Sequence, residues 1–469
     1  MKRILLIVFS ILILSGCEEQ LDILPVGNLT SNEQFATPQG VETALLAVYA
    51  DQPLYELRLH PIEVYGNMGM GLHISTPEWH LALEGEFTPR LSTDIWERTY
   101  GPIATCNYFL YDVEEFDPEF LYEVRREEAI AEARCMRAHR YFRLVRCFGA
   151  VPLVIETNMD NWYPERAPVE DVYTQIIEDL TYGMDHLPEV VPGGILSADP
   201  NNKEWGRVTK YSAMGLLAKV YMTAPPPLQD YNRAVELLDG IINSRRYSLL
   251  PDWGMVFNPD YRANNPESIW PIMWTDAFQG GGTKLAHYST PDQSWMRPTN
   301  EMYNKYEATD TRRDLTILKG WKENFFWKFM QGLAGDERDK HPWYILRYPD
   351  VLLTKAEALT VLDFQGNKQQ IIDLINQVRQ RANASLWDPA DFTDQTQMIN
   401  AILDEMHREL YFEVQYWFAM KRNGIDITFE RQGFGPVTPE NQHKFLLPLP
   451  PVALRKNKNL YQNPGYGTE

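Results

Sequence analysis

The chain has 469 residues, of which 44% are hydrophobic, 23% charged and 12% aromatic, a globular composition that excludes disordered, collagen-like and polytopic membrane proteins. Asp+Glu 64 against Lys+Arg 44 gives a formal net charge of −20, which repels phosphate backbones and argues against nucleic acid as a partner. The 13 Trp and 25 Tyr exceed what a core needs, because each brings a polar group that must be satisfied when buried; some are expected on a binding surface.

The chain opens with Lys2 and Arg3, then an apolar run from Ile4 to Leu14 broken only by Ser10. That run is too short to span a bilayer and reads as a signal-peptide core. It ends in Leu14-Ser15-Gly16-Cys17, which resembles a bacterial lipobox and implies cleavage before Cys17 and lipidation there; an ordinary secretory signal with a chance cysteine is the plainer alternative. Removing residues 1–16 takes away two cations and no acid, so the net charge becomes −22. Acyl chains, not electrostatics, must then hold the protein on an anionic membrane. Glu18 and Glu19 follow the lipid site, as in surface-exported lipoproteins of the Bacteroidetes type. Cys106, Cys135 and Cys147 remain; if the last two share a helix they stand roughly 18 Å apart, too far for a disulfide, and read as small buried apolar residues.

Several segments carry helical apolar spacing. Over Glu127–Phe148 the residues Ala131, Ala138, Tyr141, Phe142, Val145 and Phe148 make one face, while Arg134, Arg137, Arg140, Arg143 and Arg146 wind around the helix as solvated charge and structural ion pairs. Val169 to Leu187 pairs with it. A second hairpin runs from Arg207 through Ala213, Leu217 and Tyr221 to Pro225-Pro226-Pro227, resuming at Tyr231 with Ala234, Leu238 and Ile241. Between Pro251 and Leu346 the helical rhythm fails, and seven Trp fall there, so recognition loops are expected on a helical scaffold. Pro349-Asp350 suits a helix first turn, followed by Leu352, Ala356 and Leu359, a break at Gly366, and Ile371, Ile375, Val378 and Ala382. Ile399, Leu403, Met406, Leu410, Val414 and Trp417 predict one long helix ending at Lys421-Arg422 with Gly424 as stop. The expected organisation is a mainly α fold of tetratricopeptide-like helical hairpins with little β. It divides into an N-terminal helical region over residues 17–250 and a C-terminal region over 251–469, packed as one unit.

In order, these blocks resemble the SusD/RagB family of surface lipoproteins. Glu132-Ala133-Arg134 with Arg137-Ala138 and Tyr141-Phe142, leading to Phe148-Gly149-Ala150-Val151-Pro152-Leu153, is similar to its helix and F-G-x-V-P-L turn. Leu346-Arg347-Tyr348-Pro349-Asp350-Val351-Leu352-Leu353 with Ala356-Glu357-Ala358 matches a second block, and Asn376-Gln377-Val378-Arg379 with Arg381-Ala382 follows it. Arg408-Glu409-Leu410-Tyr411-Phe412-Glu413, Trp417-Phe418 and Gly424 resemble a third. Leu447-Pro448-Leu449-Pro450 with Asn459-Leu460 and Gln462-Asn463-Pro464-Gly465-Tyr466 looks like the family's ending. The departures are His407 and Tyr416 where the family has Arg, and Val414 where it has Gly. The resemblance implies four tetratricopeptide-like helix pairs and a lipid anchor outside the outer membrane. It also implies a role as lid on a SusC-like TonB-dependent transporter, capturing an oligomeric nutrient, usually a glycan.

Aromatic faces suit sugars because they accept the C–H face of a pyranose while flanking polar groups bond its hydroxyls. The candidates are Trp274 with Asp276 and Gln279 beside Gly280-Gly281-Gly282, Tyr288 and Trp295 near Asp292 and Gln293, and Trp79 in the N-terminal inter-helix stretch. Packing or a transporter contact is the structural alternative for each. Trp270, Trp96 and Trp417 are expected in the core. No phosphate loop, dinucleotide fingerprint, H-E-x-x-H or G-x-S-x-G occurs, and no cofactor is called for. Loop carboxylates could hold a structural calcium, but no spaced ligand set names one. The sequence reads as a non-enzymatic glycan-capture protein, with peptide capture on the same scaffold and a surface glycosidase as alternatives.

Overall fold

The helices begin where the sequence supplies caps. Thr209 and Ser212 form a reciprocal capping box, each side-chain oxygen accepting from the other's amide, at 3.3 and 3.1 Å. Asp230 accepts from the Arg233 amide and Asp394 from that of Gln397, both at 2.9 Å. The protein is described by a computed structural model over residues 31–56, 72–74, 81, 85–87, 89–116, 123–157, 162–190, 206–258, 261, 265–272, 296–320, 324–329 and 343–467. Its main helices are α1 (Pro38–Glu56), α2 (Pro89–Phe116), α3 (Glu123–Phe148), α4 (Val169–His186), α5 (Lys210–Thr223), α6 (Tyr231–Asn243), α7 (Tyr348–Arg381), α8 (Gln395–Glu409), α9 (Gln415–Arg422) and α10 (Ile425–Gln432). The strands are β1 (Leu72–Ile74), β2 (Ser268–Ile272), β3 (Met296–Pro298), β4 (Ile317–Lys319), β5 (Asn324–Phe326) and β6 (Trp343–Arg347).

From α2 to α8 each helix packs on the next in chain order, so the fold is mainly α and built by stacking. Close approach needs small residues at two crossings. A Cβ on Gly183 of α4 would stand 2.1 Å from Cys135 Sγ of α3, and one on Gly215 of α5 would stand 2.2 Å from Leu346 of β6. Cys106, Cys135 and Cys147 are free and buried, in keeping with their reading as apolar fillers. Buried ion pairs clamp neighbouring helices: Arg137 with Asp179 joins α3 to α4, Lys219 with Asp350 joins α5 to α7, and Arg422 with Glu357 joins α9 to α7. Most arginines of the α3 series are therefore consumed internally and not solvated. Arg140 donates to the carbonyls of Pro102 (3.0 Å) and Val48 (2.7 Å), and Arg146 lies over the Phe142 and Phe418 rings.

The break in α7 falls at Asp363, three residues before the expected Gly366. Asp363 leaves helical geometry (φ −161°, ψ 91°), and its carboxylate accepts from the Gly366 amide at 2.9 Å, capping the second half. The long helix predicted from Ile399 to Trp417 is two helices. α8 ends at Glu409, and Phe412 and Val414 take left-handed backbone (φ 65° and 66°) before α9 starts. A β-branched residue is strained there, which is why a glycine suits this position. The other two departures from the family pattern meet each other: the His407 and Tyr416 rings stack 4.0 Å apart at an interplanar angle of 1°. Burial, reinforced by Lys305, Arg431 and Arg408, pushes the His407 imidazole well below its usual pKa and keeps it neutral in that stack.

The chain reverses between α8 and α9 because the end of α8 and the turn after it carry acids that a buried ionic network requires. Arg347, the residue before α7, grips Glu413 at 2.7 and 2.8 Å and also meets Glu267 (3.2 Å) and Glu409. Arg312 chelates Asp310 (3.0 and 2.8 Å) and reaches Glu405 and Glu409 (2.8 and 2.9 Å). Arg381 bridges Glu267 and Glu409, Arg379 pairs with Glu405 and Glu307, Arg408 with Glu405, and Lys328 with Glu413. Six cations thus face six carboxylates, and the charges of this network balance. Burial alone would raise the carboxyls of Glu405 and Glu409; the surrounding guanidiniums overcome it and hold both well below the usual carboxylate range. Burial pulls the Lys328 ammonium down to about 8, with Glu413 opposing the shift. Arg347→Met leaves three carboxylates short of their shared donor, and removal of one partner from such a network costs about 3–5 kcal/mol. Urea unfolding should show the midpoint falling accordingly at unchanged slope; a loss under about 1 kcal/mol would contradict the role given to Arg347.

Candidate ligand-binding surface

The interval from Pro251 to Leu346 is organised by two antiparallel ribbons that join distant parts of the chain. β2 pairs with β6, with Ile272 opposite Trp343. β1 pairs with β3, with Leu72 opposite Pro298 and Ile74 opposite Met296. The stretch 273–295 is therefore anchored at Ile272 by β6 and at Met296 by β1. The stretch that follows Ile74 starts beside Met296, so the two candidate regions share one root. β5 supports that root: Asn324 Nδ2 donates to the Pro298 carbonyl (3.1 Å) and to Asn300 Oδ1 (3.2 Å), and Phe326 packs against Phe412 in a tilted pair at 4.2 Å.

The candidate residues Trp79, Trp274, Asp276, Gln279, Tyr288 and Trp295, and the lipidation candidate Cys17, all lie outside the described residues. What the structure locates are their flanking anchors. Of the seven Trp in the interval, four are described, and three of these are core residues. Trp253 Nε1 donates to Glu409 at 3.3 Å, Trp270 packs against His139 at 5.1 Å, and Trp343 stacks on Phe329 at 5.9 Å. Only Trp327 among the four is open, at 37% exposure. Among the described residues, three of the four Trp of this interval therefore serve packing. Trp270, Trp96 and Trp417 are buried, as their sequence context implied.

The most exposed described Trp was not singled out by sequence. Trp162 is 75% exposed, followed by Tyr163, and the strap that carries them is fastened to the C-terminal tail. Asn459 Nδ2 donates to the Tyr163 carbonyl (2.6 Å), Asn457 Nδ2 to that of Pro164 (2.7 Å), and Arg166 to that of Tyr461 (3.0 Å) with its guanidinium over the exposed Tyr461 ring. The signal available was the Trp-Tyr-Pro run itself, aromatic and outside any amphipathic period. It sits between two blocks that read as structural, and they are: Asn463 donates to the Phe148 carbonyl (3.1 Å), so the ending block closes on the Phe148–Leu153 turn. Among the described residues no cluster of His, Cys, Asp and Glu is arranged to hold a metal ion, and no helix is long and apolar enough to cross a membrane.

Comparison with known proteins gives matches in both halves. A sequence profile described as the SusD family matches residues 325–466, and one described as "Starch-binding associating with outer membrane" matches residues 72–222. SusD-like protein P2 of Formosa agariphila is 26% identical over 427 aligned positions, covering 79% of this chain and 80% of its own. A SusD superfamily protein from Parabacteroides distasonis has the same fold at a TM-score of 0.75 and 24% identity, over 94% of this chain and 100% of that one. Surface glycan-binding protein A from Bacteroides uniformis superposes with a TM-score of 0.72 at 20% identity, over 91% of this chain and 99% of its own. Profiles on both halves, a relative that spans most of its own length and a shared helical stack lead to one assignment: the chain belongs to the SusD/RagB family.

Proposed function

We propose that this chain is a non-enzymatic capture protein that binds an extended, neutral oligosaccharide and delivers it to a SusC-like TonB-dependent transporter in the outer membrane. The observation that carries the reading is the pairing of Ile74 with Met296, which gives the stretches bearing Trp79 and Trp295 a common origin on a rigid frame. Trp274 and Asp276 follow directly on Ile272, whose pairing with Trp343 ties the other end of the same stretch. Aromatic faces there would take the apolar side of a sugar ring, and Asp276 and Gln279 its hydroxyls. The starch-binding description of the matching profile and the name of the Bacteroides uniformis neighbour, a surface glycan-binding protein, support a carbohydrate over other oligomers. An acidic chain favours a neutral glycan over a polyanion. Attachment through acyl chains on Cys17, on the outer face of the membrane, completes the reading.

Calorimetry of the mature chain against a panel of plant, host and microbial polysaccharides tests it. Binding without turnover of reducing ends is expected, and Trp274→Ala should lose about 1 kcal/mol or more of affinity, roughly fivefold, at unchanged helicity. Unchanged affinity would remove Trp274 from the site, and steady release of reducing ends would replace capture with hydrolysis. Cys17→Ala should move the protein from the membrane to the soluble fraction in cells lacking the transporter; retention through detergent-free washing would contradict the lipid anchor.

A further inference from the structure

Away from the ribbons, α2, α3 and α4 converge on a cleft of about 750 Å³. That volume falls within the range of about 300–1,000 Å³ typical of small-ligand sites. Its walls are the three helices and the segment 155–157. Tyr111 of α2 is 47% exposed at the cleft, Ile130 and Arg134 stand one turn apart on α3, and Glu178 and Tyr182 one turn apart on α4. Ile155, on the extended segment after the Phe148–Leu153 turn, adds apolar surface. The inner side is locked by Arg137, which bonds both Asp179 oxygens at 2.8 Å and Asn107 Oδ1 at 2.9 Å.

Arg134 differs from the arginines around it. Its guanidinium lies over the Tyr182 ring, 4.2 Å from the centroid, and Tyr182 in turn donates to Glu127 and stacks on His186 at 4.0 Å. Among the described residues no carboxylate or carbonyl accepts from Arg134, and its buried Nε has no partner. Arg137, one turn further on, is wholly consumed, and Arg126, also on the cleft wall, donates to the Val113 carbonyl at 3.4 Å, while Arg134 is held in place with donors to spare. Glu178 is an exposed carboxylate on the facing helix and makes no hydrogen bond to the described residues.

We propose that this cleft is a second saccharide site for one or two units of a neutral glycan, lined by none of the residues proposed above on the stretches 75–80 and 273–295. The proposal rests on the carbohydrate reading given above. A pyranose has two apolar faces and a rim of hydroxyls that both donate and accept. Tyr111, Ile130 and Ile155 supply apolar surface, Arg134 donates, and Glu178 accepts. A peptide is less well served: the helices have spent their amides and carbonyls internally, and on the extended wall the Ile155 carbonyl already accepts from Arg137 at 3.3 Å. A polyanion would meet Glu114, Glu156 and Glu178 at the rim.

The test is a titration of the mature chain with maltotriose, cellotriose, xylotriose, trigalacturonate and trialanine, following the δ1 methyl signals of Ile130 and Ile155. At least one neutral trisaccharide should shift both signals saturably. Tyr111→Ala and Arg134→Gln should each weaken that response about tenfold, while Trp274→Ala, which addresses the loop surface, leaves it in place. Saturable shifts at other isoleucines that spare Ile130 and Ile155 and vanish in Trp274→Ala would uphold the loop reading and overturn the cleft. A response at the two methyls to trialanine or trigalacturonate alone would overturn the assignment of a neutral sugar. Silence of every isoleucine toward all three neutral sugars would count against both readings.

Discussion

The buried lattice of Arg312, Arg347, Arg379 and Arg381 with Glu267, Glu405, Glu409 and Glu413 is the constraint on which the rest of the structure depends. Its members come from four places in the chain: the approach to β2, the short helix before β4, the α7 helix with its leading residue, and the α8–α9 junction. Such a lattice is poor at adding net stability, because each ion is desolvated before it is paired. What it supplies is registry. The carboxylates are satisfied only when the aromatic-rich interval sits against the helical stack in one way, since displacing a single donor strands charges in an apolar interior. Trp253 and Lys328 carry the same constraint outward, Trp253 through Glu409 and Lys328 through Glu413 and the Tyr411 carbonyl at 2.9 Å.

This explains why the blocks that resemble the family are dense in charge yet say little about ligand. Arg347, Arg379, Arg381, Arg408, Glu409 and Glu413 are framework. So are Arg166 and Asn463, which join the ending block to the turn after α3 at 2.7 Å. In the function proposed above, the ligand-facing chemistry belongs to stretches that follow on from the framework, where family likeness is silent.

Local chemistry made α3, α4, α5, α6 and α7 legible in the sequence, because apolar spacing, caps and proline breaks all act within a turn or two of the residues concerned. It failed at α8–α9, where the apolar period runs on from Leu403 through Leu410 to Trp417 although Phe412 and Val414 turn left-handed. That reversal answers to partners far along the chain, and spacing carries no trace of them. β1 with β3 is illegible for the same reason: three-residue strands paired between Leu72 and Pro298 have neither length nor neighbourhood to announce them. The tryptophans show the limit for site residues. Trp253 and Trp343 fall in the Trp-rich interval yet are core residues because Glu409 and Phe329 await them, whereas Trp162 stood out only once burial was known. The six proposed loop contacts still rest on residue chemistry and on the anchors beside them.

Amide hydrogen exchange in Glu409→Gln tests the central claim most directly. If the ionic lattice holds the ribbons to the helices, residues 265–272, 324–329 and 343–347 should lose protection together with α8, and by a common free energy. Loss of protection confined to the turns around residue 409, with the ribbons unchanged, would contradict it.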